Sequence, residues 1–173
     1  MNNTLTAPIL PNEIEWRVQS QTSTGKLIVV PYINNRCVMH RFDAAFGAEN
    51  WMSEFREISN GFICRLSVTV EVPTKKMNVG NGTDYVEYSQ RTIYREDGAS
   101  KTNIEPEKGG ISDAMKRAAV QFGLGRCLYD YPRVMIECEG KFIPDWAYEK
   151  LDKLVTWIND GKCNRDMIII SQK

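Results

Sequence analysis

The chain has 173 residues, with 22 basic and 22 acidic side chains and a formal net charge of zero. That length supports one domain with a proper core, and 42% hydrophobic with 25% charged residues excludes a disordered polyelectrolyte. The charge balance also excludes a histone-like polycation, so any contact with nucleic acid must come from a local patch.

Residues 1–12 are polar and read as a flexible N-terminus. Ile14, Trp16 and Val18 alternate with Glu15, Arg17 and Gln19, which predicts a half-buried strand with Arg17 on its polar face. A second apolar run follows at 27–33. Asn34 or Asn35 then caps a helix reaching Phe46, with Val38, Phe42 and Ala45 inward and Gly47 at its exit. Asn60-Gly61 lies between two runs and calls for a tight hairpin turn with positive φ. Phe62, Cys64, Leu66, Val68, Val70 and Val72 alternate with Ile63, Arg65, Ser67, Thr69 and Glu71, and Pro73 is expected to stop that strand.

Residues 75–82 read as a basic loop, 85–95 as a third strand, and Asp97-Gly98 as a turn toward a helix. Thr102 and Glu105 have capping-box spacing, and Pro106 is tolerable in a first helical turn. Gly109 and Gly110 lead into a helix in which Ile111, Met115, Ala118, Ala119 and Phe122 form an apolar stripe, with Gly123 as the exit. Lys116 and Arg117 lie off that stripe. A last helix is predicted over about 144–160, with Ala147, Leu151, Leu154, Val155 and Ile158 inward and Gly161 as its stop. The expected organisation is one domain over 13–161 and a tail over 162–173. The fold class is α+β: an antiparallel three-stranded meander with packed helices, a strand-strand-strand-helix core.

The chemistry of a catalyst is missing. His40 is the lone histidine, and no G-x-G-x-x-G, Walker A or G-x-S-x-G pattern occurs. Glu105, Glu107 and Asp113 lack the spacing of a metal cluster, and acids near a helix start are expected from the dipole. Cys37, Cys64, Cys127, Cys138 and Cys163 contain no C-x-x-C pair, so reduced, mostly buried thiols are expected. The N-terminus has no signal-peptide pattern, and the apolar run at 167–170 is too short to span a bilayer. These features predict a cytoplasmic protein that is not an enzyme, with no cofactor and no metal.

Lys116 and Arg117 are the leading candidates for holding phosphate, since a helix glued down on one face would offer both cations on another. Between 101 and 126, Lys101, Lys108, Lys116, Arg117 and Arg126 face Glu105, Glu107 and Asp113, a local excess of +2. Arg17 reads either as a phosphate contact or as half of a cross-strand ion pair. Arg126 reads as a phosphate contact or as a cation at a helix C-terminus. Lys75 and Lys76 read as a second contact or as charges guarding a sheet edge. Trp16, Trp51, Trp146 and Trp157 sit near apolar stripes and read as core rather than as base-stacking platforms.

Three segments carry a family resemblance. The run from Gly109 to Tyr131, with its Ser-Asp-Ala-Met-Lys-Arg-Ala-Ala core, resembles the central motif of the Rad52 single-strand annealing family, including its short phage and bacterial Sak-type members. Tyr32-Ile33 through Phe46-Gly47-Ala48-Glu49-Asn50-Trp51 resembles the family's first helix and exit, and Glu15-Trp16-Arg17-Val18 its early strand. Cys127 departs from the pattern, where members often carry an aromatic. The resemblance implies a curved sheet with the basic helix against it, assembled as a homo-oligomeric ring that would cover the sheet edges. It places Lys116 and Arg117 in the family's primary single-strand groove, with Arg17 lining the same groove. The implied function is binding and annealing of complementary single strands in recombination and double-strand-break repair, near the nucleoid of a phage or bacterial host. The alternative is a strand- or end-shielding protein without annealing activity. Implied partners are single-stranded DNA, further copies of the chain, and a single-strand binding protein or recombinase, with no membrane.

Overall fold

The computed structural model describes residues 3–78 and 84–172. The chain begins with a one-turn helix α1 (Asn3–Thr6), then strands β1 (Ile14–Gln21) and β2 (Leu27–Ile33), and helix α2 (Asn35–Phe46). Three strands follow, β3 (Trp51–Ile58), β4 (Gly61–Asn78) and β5 (Asp84–Ser100), then helix α3 (Pro106–Gln121). The C-terminal third holds β6 (Arg133–Ile136), helix α4 (Asp145–Asn159) and β7 (Met167–Ile170). These elements form two compact units, one of residues 3–38 and 123–172 and one of residues 39–122. The fold is α+β, as the alternation patterns predict.

The first unit is built on a four-stranded sheet in the order β1-β2-β6-β7. β1 and β2 pair antiparallel from Ile14 opposite Ile33, with an irregularity between Val18 and Ser20. β6 runs antiparallel to β2 and parallel to β7. Trp16, Leu27, Val29, Val134 and Ile136 are buried. In α4 the buried residues are Ala147, Leu151, Leu154 and Val155, the i, i+4, i+7, i+8 set of an amphipathic helix. Asn159 donates its amide N–H to the Ile9 carbonyl at 2.8 Å. Residues 1–12, expected to be flexible, thus contribute buried Leu5 and Ile9, and the expected tail contributes β7. β6 and β7 escaped the sequence reading because four residues are too few to display a period.

The second unit carries the sheet β3-β4-β5, an antiparallel meander as expected. α3 packs against β4 and β5. Its buried face is Gly110, Ala114, Met115, Ala118 and Ala119, and the strand face carries buried Phe62, Cys64, Leu66 and Val68. Small residues set the approach: a Cβ on Gly110 would stand 2.8 Å from the Phe62 ring. The Phe42 ring lies 5.5 Å from both Trp51 and Phe122 and 5.6 Å from Phe46. Trp51 Nε1 donates to Asp43 at 2.7 Å, and Asn50 donates to the Phe46 carbonyl at 2.9 Å. Gly47, at φ +85°, makes the exit between them. The Phe-Gly-Ala-Glu-Asn-Trp run is therefore the device that turns α2 into β3.

Several local expectations are corrected. Pro73 does not end β4, which continues to Asn78 through an irregularity between Pro73 and Lys75. Lys75 and Lys76 therefore lie in a strand; the rest of the expected loop, 79–82, falls outside the described residues. Asp97 and Gly98 are not a turn but part of β5, paired with Cys64 and Ile63. The hairpin forms, but its turn is Ser59-Asn60, since Gly61 already pairs with Ile58 as the first residue of β4, and neither Asn60 nor Gly61 takes a positive φ. Gly61 is demanded instead by close approach, because a Cβ there would collide with the Ala99 carbonyl of β5.

Helix α3 starts at Pro106, so Gly109 and Gly110 lie inside it, and Ile111 is only half-buried. No capping box forms. Glu105 sits at φ +49° as the N-cap, while the Thr102 hydroxyl donates to the Ile104 carbonyl at 2.6 Å. Among the tryptophans only Trp16 is buried, and Trp157 is exposed. Of the thiols only Cys37 and Cys64 are buried, while Cys127 is exposed.

Candidate nucleic-acid interface

The candidate cations divide between the two units: Arg17 and Arg126 in the first, Lys75, Lys76, Lys108, Lys116 and Arg117 in the second. In the second unit the helical period decides which α3 residues face out. With Ala114, Met115, Ala118 and Ala119 buried, Lys116 and Arg117 emerge from the rim of that face. They are not equivalent. The Lys116 side chain is 21% exposed and its ammonium pairs with Asp113 at 2.7 Å, one turn back. The Arg117 side chain is 54% exposed and its Nε donates to Asp97 of β5 at 3.0 Å.

The other cations of this stretch are also paired. Lys108 reaches Glu105 at 2.9 Å. Lys101 reaches Glu57 at 2.8 Å and Glu107 at 3.6 Å, and those carboxylates raise its pKa. The +2 excess read from the sequence is thus reduced in place by Glu57 and Asp97, which come from other strands. Lys75 is exposed in β4 opposite Glu87. Lys76 pairs through its backbone with Val86, and its side chain lies outside the described residues.

Alternation along β5 supplies cations that the sequence reading missed. Asp97, Arg95 and Arg91 pair with Cys64, Leu66 and Val70 of β4, so they share the sheet face on which α3 packs. The Arg95 guanidinium stands 5.7 Å from the Phe122 ring centroid and donates to the Tyr94 carbonyl at 2.8 Å. Arg91 and Arg95 are both exposed. The period-two signal is present in the sequence, but the local breaker Asp97-Gly98 reads as a strand end, and alternation alone does not say which side of β5 the helix covers.

Asp97 is the electrostatic hinge of this patch. Burial pushes its carboxyl up, but the Gly98 N–H, the Gln121 amide and the Arg117 guanidinium together outweigh burial and hold it below the ordinary carboxylate value. Because its folded pKa is depressed, its contribution to stability is present above the unfolded value and lost as pH falls through the folded one.

In the first unit, Arg17 is exposed on β1 opposite Val30. Its guanidinium lies 5.8 Å from the Tyr32 ring centroid, a cross-strand cation–π contact. Burial, then a hydrogen bond to Glu15, pushes the Tyr32 phenol up to about 12, so that ring stays neutral beside the cation. Arg126 is exposed at the first position of a 3-10 turn (Arg126–Asp130) that follows Gly125 at φ +69°. His40 is exposed on α2. Among the described residues no group of three or more His, Cys, Asp or Glu side chains is placed to hold a metal ion. Among them, too, no helix is long and apolar enough to cross a membrane.

α3 thus presents a cationic rim beside an antiparallel meander. Residues 1–138 match the Rad52/22 family of double-strand break repair proteins, and the chain belongs to that family. It is also similar to the single-stranded DNA-binding protein DdrA of Deinococcus radiodurans, with 30% identity over 83% of this chain. The match spans 65% of that relative's length.

Proposed function

We propose that the protein binds single-stranded DNA through the cationic rim of α3 and β5 and anneals complementary strands in double-strand-break repair. The observation that carries this reading is the Lys116-Arg117 pair, held on a helix whose opposite face is buried against the sheet. Membership of a repair family and similarity to a single-stranded DNA-binding protein support it. Cations on a rigid element grip phosphates and leave bases exposed to a second strand. Sequence is then read by pairing, and stacking drives the reaction. The act needs no ATP, metal or covalent step, so the protein works as a binder rather than as an enzyme, in the cytoplasm where the DNA is.

Annealing of complementary oligonucleotides, followed by fluorescence in chelator without ATP, tests the reading. Acceleration over the spontaneous rate is expected; tight binding without acceleration would favour a shielding protein. Arg17→Glu is expected to lose most of the acceleration, because it sets a negative charge where the family resemblance places the groove. Arg17 is exposed, so the sheet should survive the change. Full activity of a folded Arg17→Glu variant would remove that residue from the site.

The ring belongs to the same proposal. β3 and β5 are both edges of a three-stranded sheet, and repeating one subunit about an axis would cover them. Light scattering at micromolar concentration should report a mass many times 19.8 kDa. A monomer that still anneals would exclude the ring.

A further inference from the structure

The geometry points to Asp97 as the residue that positions Arg117 for phosphate, an inference that rests on the single-strand site proposed above. Three donors fix the carboxylate. The Gly98 N–H reaches Oδ1 at 2.7 Å, Arg117 Nε reaches Oδ1 at 3.0 Å, and Gln121 Nε2 reaches Oδ2 at 3.2 Å. One donor comes from the same strand and two from successive turns of α3, so the carboxylate cannot swing without breaking contacts to both elements. It is also the less exposed partner, at 20% against 54% for Arg117.

The nitrogen that engages Asp97 decides the matter. A guanidinium has five N–H donors in a planar fork. Asp97 takes the one on Nε, and the terminal nitrogens make no hydrogen bond among the described residues. An arginine held at Nε keeps the two-pronged end that matches a phosphate. Much of the side-chain freedom it would lose on binding is already removed.

The rival account has the opposite sign. A carboxylate beside a phosphate-binding cation, with no positioning role, only repels the ligand, and removing it strengthens binding. Positioning predicts that removing it weakens binding, and only while Arg117 is present.

The test uses the full chain and a fluorescently labelled oligo-dT, titrated by anisotropy. It compares wild type, Asp97→Asn, Arg117→Ala and the double variant, with circular dichroism on each. Asp97→Asn should weaken binding about three- to fivefold, the scale of a half-exposed ion pair, and should have no effect in the Arg117→Ala background. Unchanged or tighter binding by Asp97→Asn, or the same loss with and without Arg117, overturns the inference while leaving the site intact. Wild-type affinity of Arg117→Ala removes the site itself and this inference with it. Should Asp97→Asn fail to fold, Gln121→Met removes the donor on Oδ2 while keeping the carboxylate. It should cost about twofold, again only while Arg117 is present, and an Arg117-independent loss overturns the inference.

Discussion

Replacing Lys116 and Arg117 together by Ala is expected to weaken single-strand binding by about two orders of magnitude. Each charged hydrogen bond to phosphate contributes about 1.5–3 kcal/mol, so losing two partly exposed ones, taken at the lower end, removes about 3 kcal/mol. The fold should persist. Both side chains lie off the face formed by Ala114, Met115, Ala118 and Ala119. The ion pairs surrendered, to Asp113 and Asp97, are partly exposed and stabilise by roughly 0.2–1 kcal/mol each. Alanine also has the best helix propensity. A salt titration adds an independent reading, because neutralised phosphates contribute about −0.7 each to the log–log slope for single strands. The double variant should flatten that slope by about 1.4. Wild-type affinity and slope, with circular dichroism unchanged, would show that the cationic rim of α3 is not the site.

Gly61→Ala is expected to be the most damaging single methyl in the second unit. The new Cβ would collide with the Ala99 carbonyl oxygen and stand 3.0 Å from both the Ala99 carbonyl carbon and Ser100 Cα. These are backbone atoms of β5, so no rotamer change relieves the overlap. The strands must separate where Gly61 opposes Ser100, next to buried Phe62 and the start of α3. Overpacking of this kind costs about 1–3 kcal/mol, and an obstructing backbone places it at the upper end. For a chain of this size that lowers Tm by roughly 6–12 °C. Calorimetry on the variant is the measurement, and a Tm within a degree of wild type would mean that β4 and β5 do not pair in this register.

The sequence and the structure part company at identifiable places. β1 was legible because Ile14, Trp16 and Val18 repeat at the strand period, and α2, α3 and α4 because their apolar residues repeat at the helical period over two turns or more. The family resemblance was legible because its motif residues lie close together in the chain, as in the run through Lys116 and Arg117. Strand ends were not. Pro73 and Asp97-Gly98 are strong local breakers, yet β4 and β5 run through both. At Pro73 an irregularity absorbs the missing donor, and at Gly98 the ladder to Ile63 continues. Pairing with a long neighbour outweighs a local preference of about 1 kcal/mol.

What the sequence determined by itself was the α+β class, from the order of its elements, and, from spacing within a turn or two, Met115, Ala118 and Ala119 on the buried face of the basic helix with the pair of cations beside it. The Lys116–Asp113 pair lies within one turn, but only the tertiary structure decided that Asp97 meets Arg117 and that Glu57 meets Lys101. Asp97 lies 20 residues before Arg117 and Glu57 lies 44 before Lys101. Their meeting depends on strand register and on how closely Gly110 lets α3 approach Phe62. Local periodicity encodes which way a side chain faces, whereas a contact between elements is set by the packing of both.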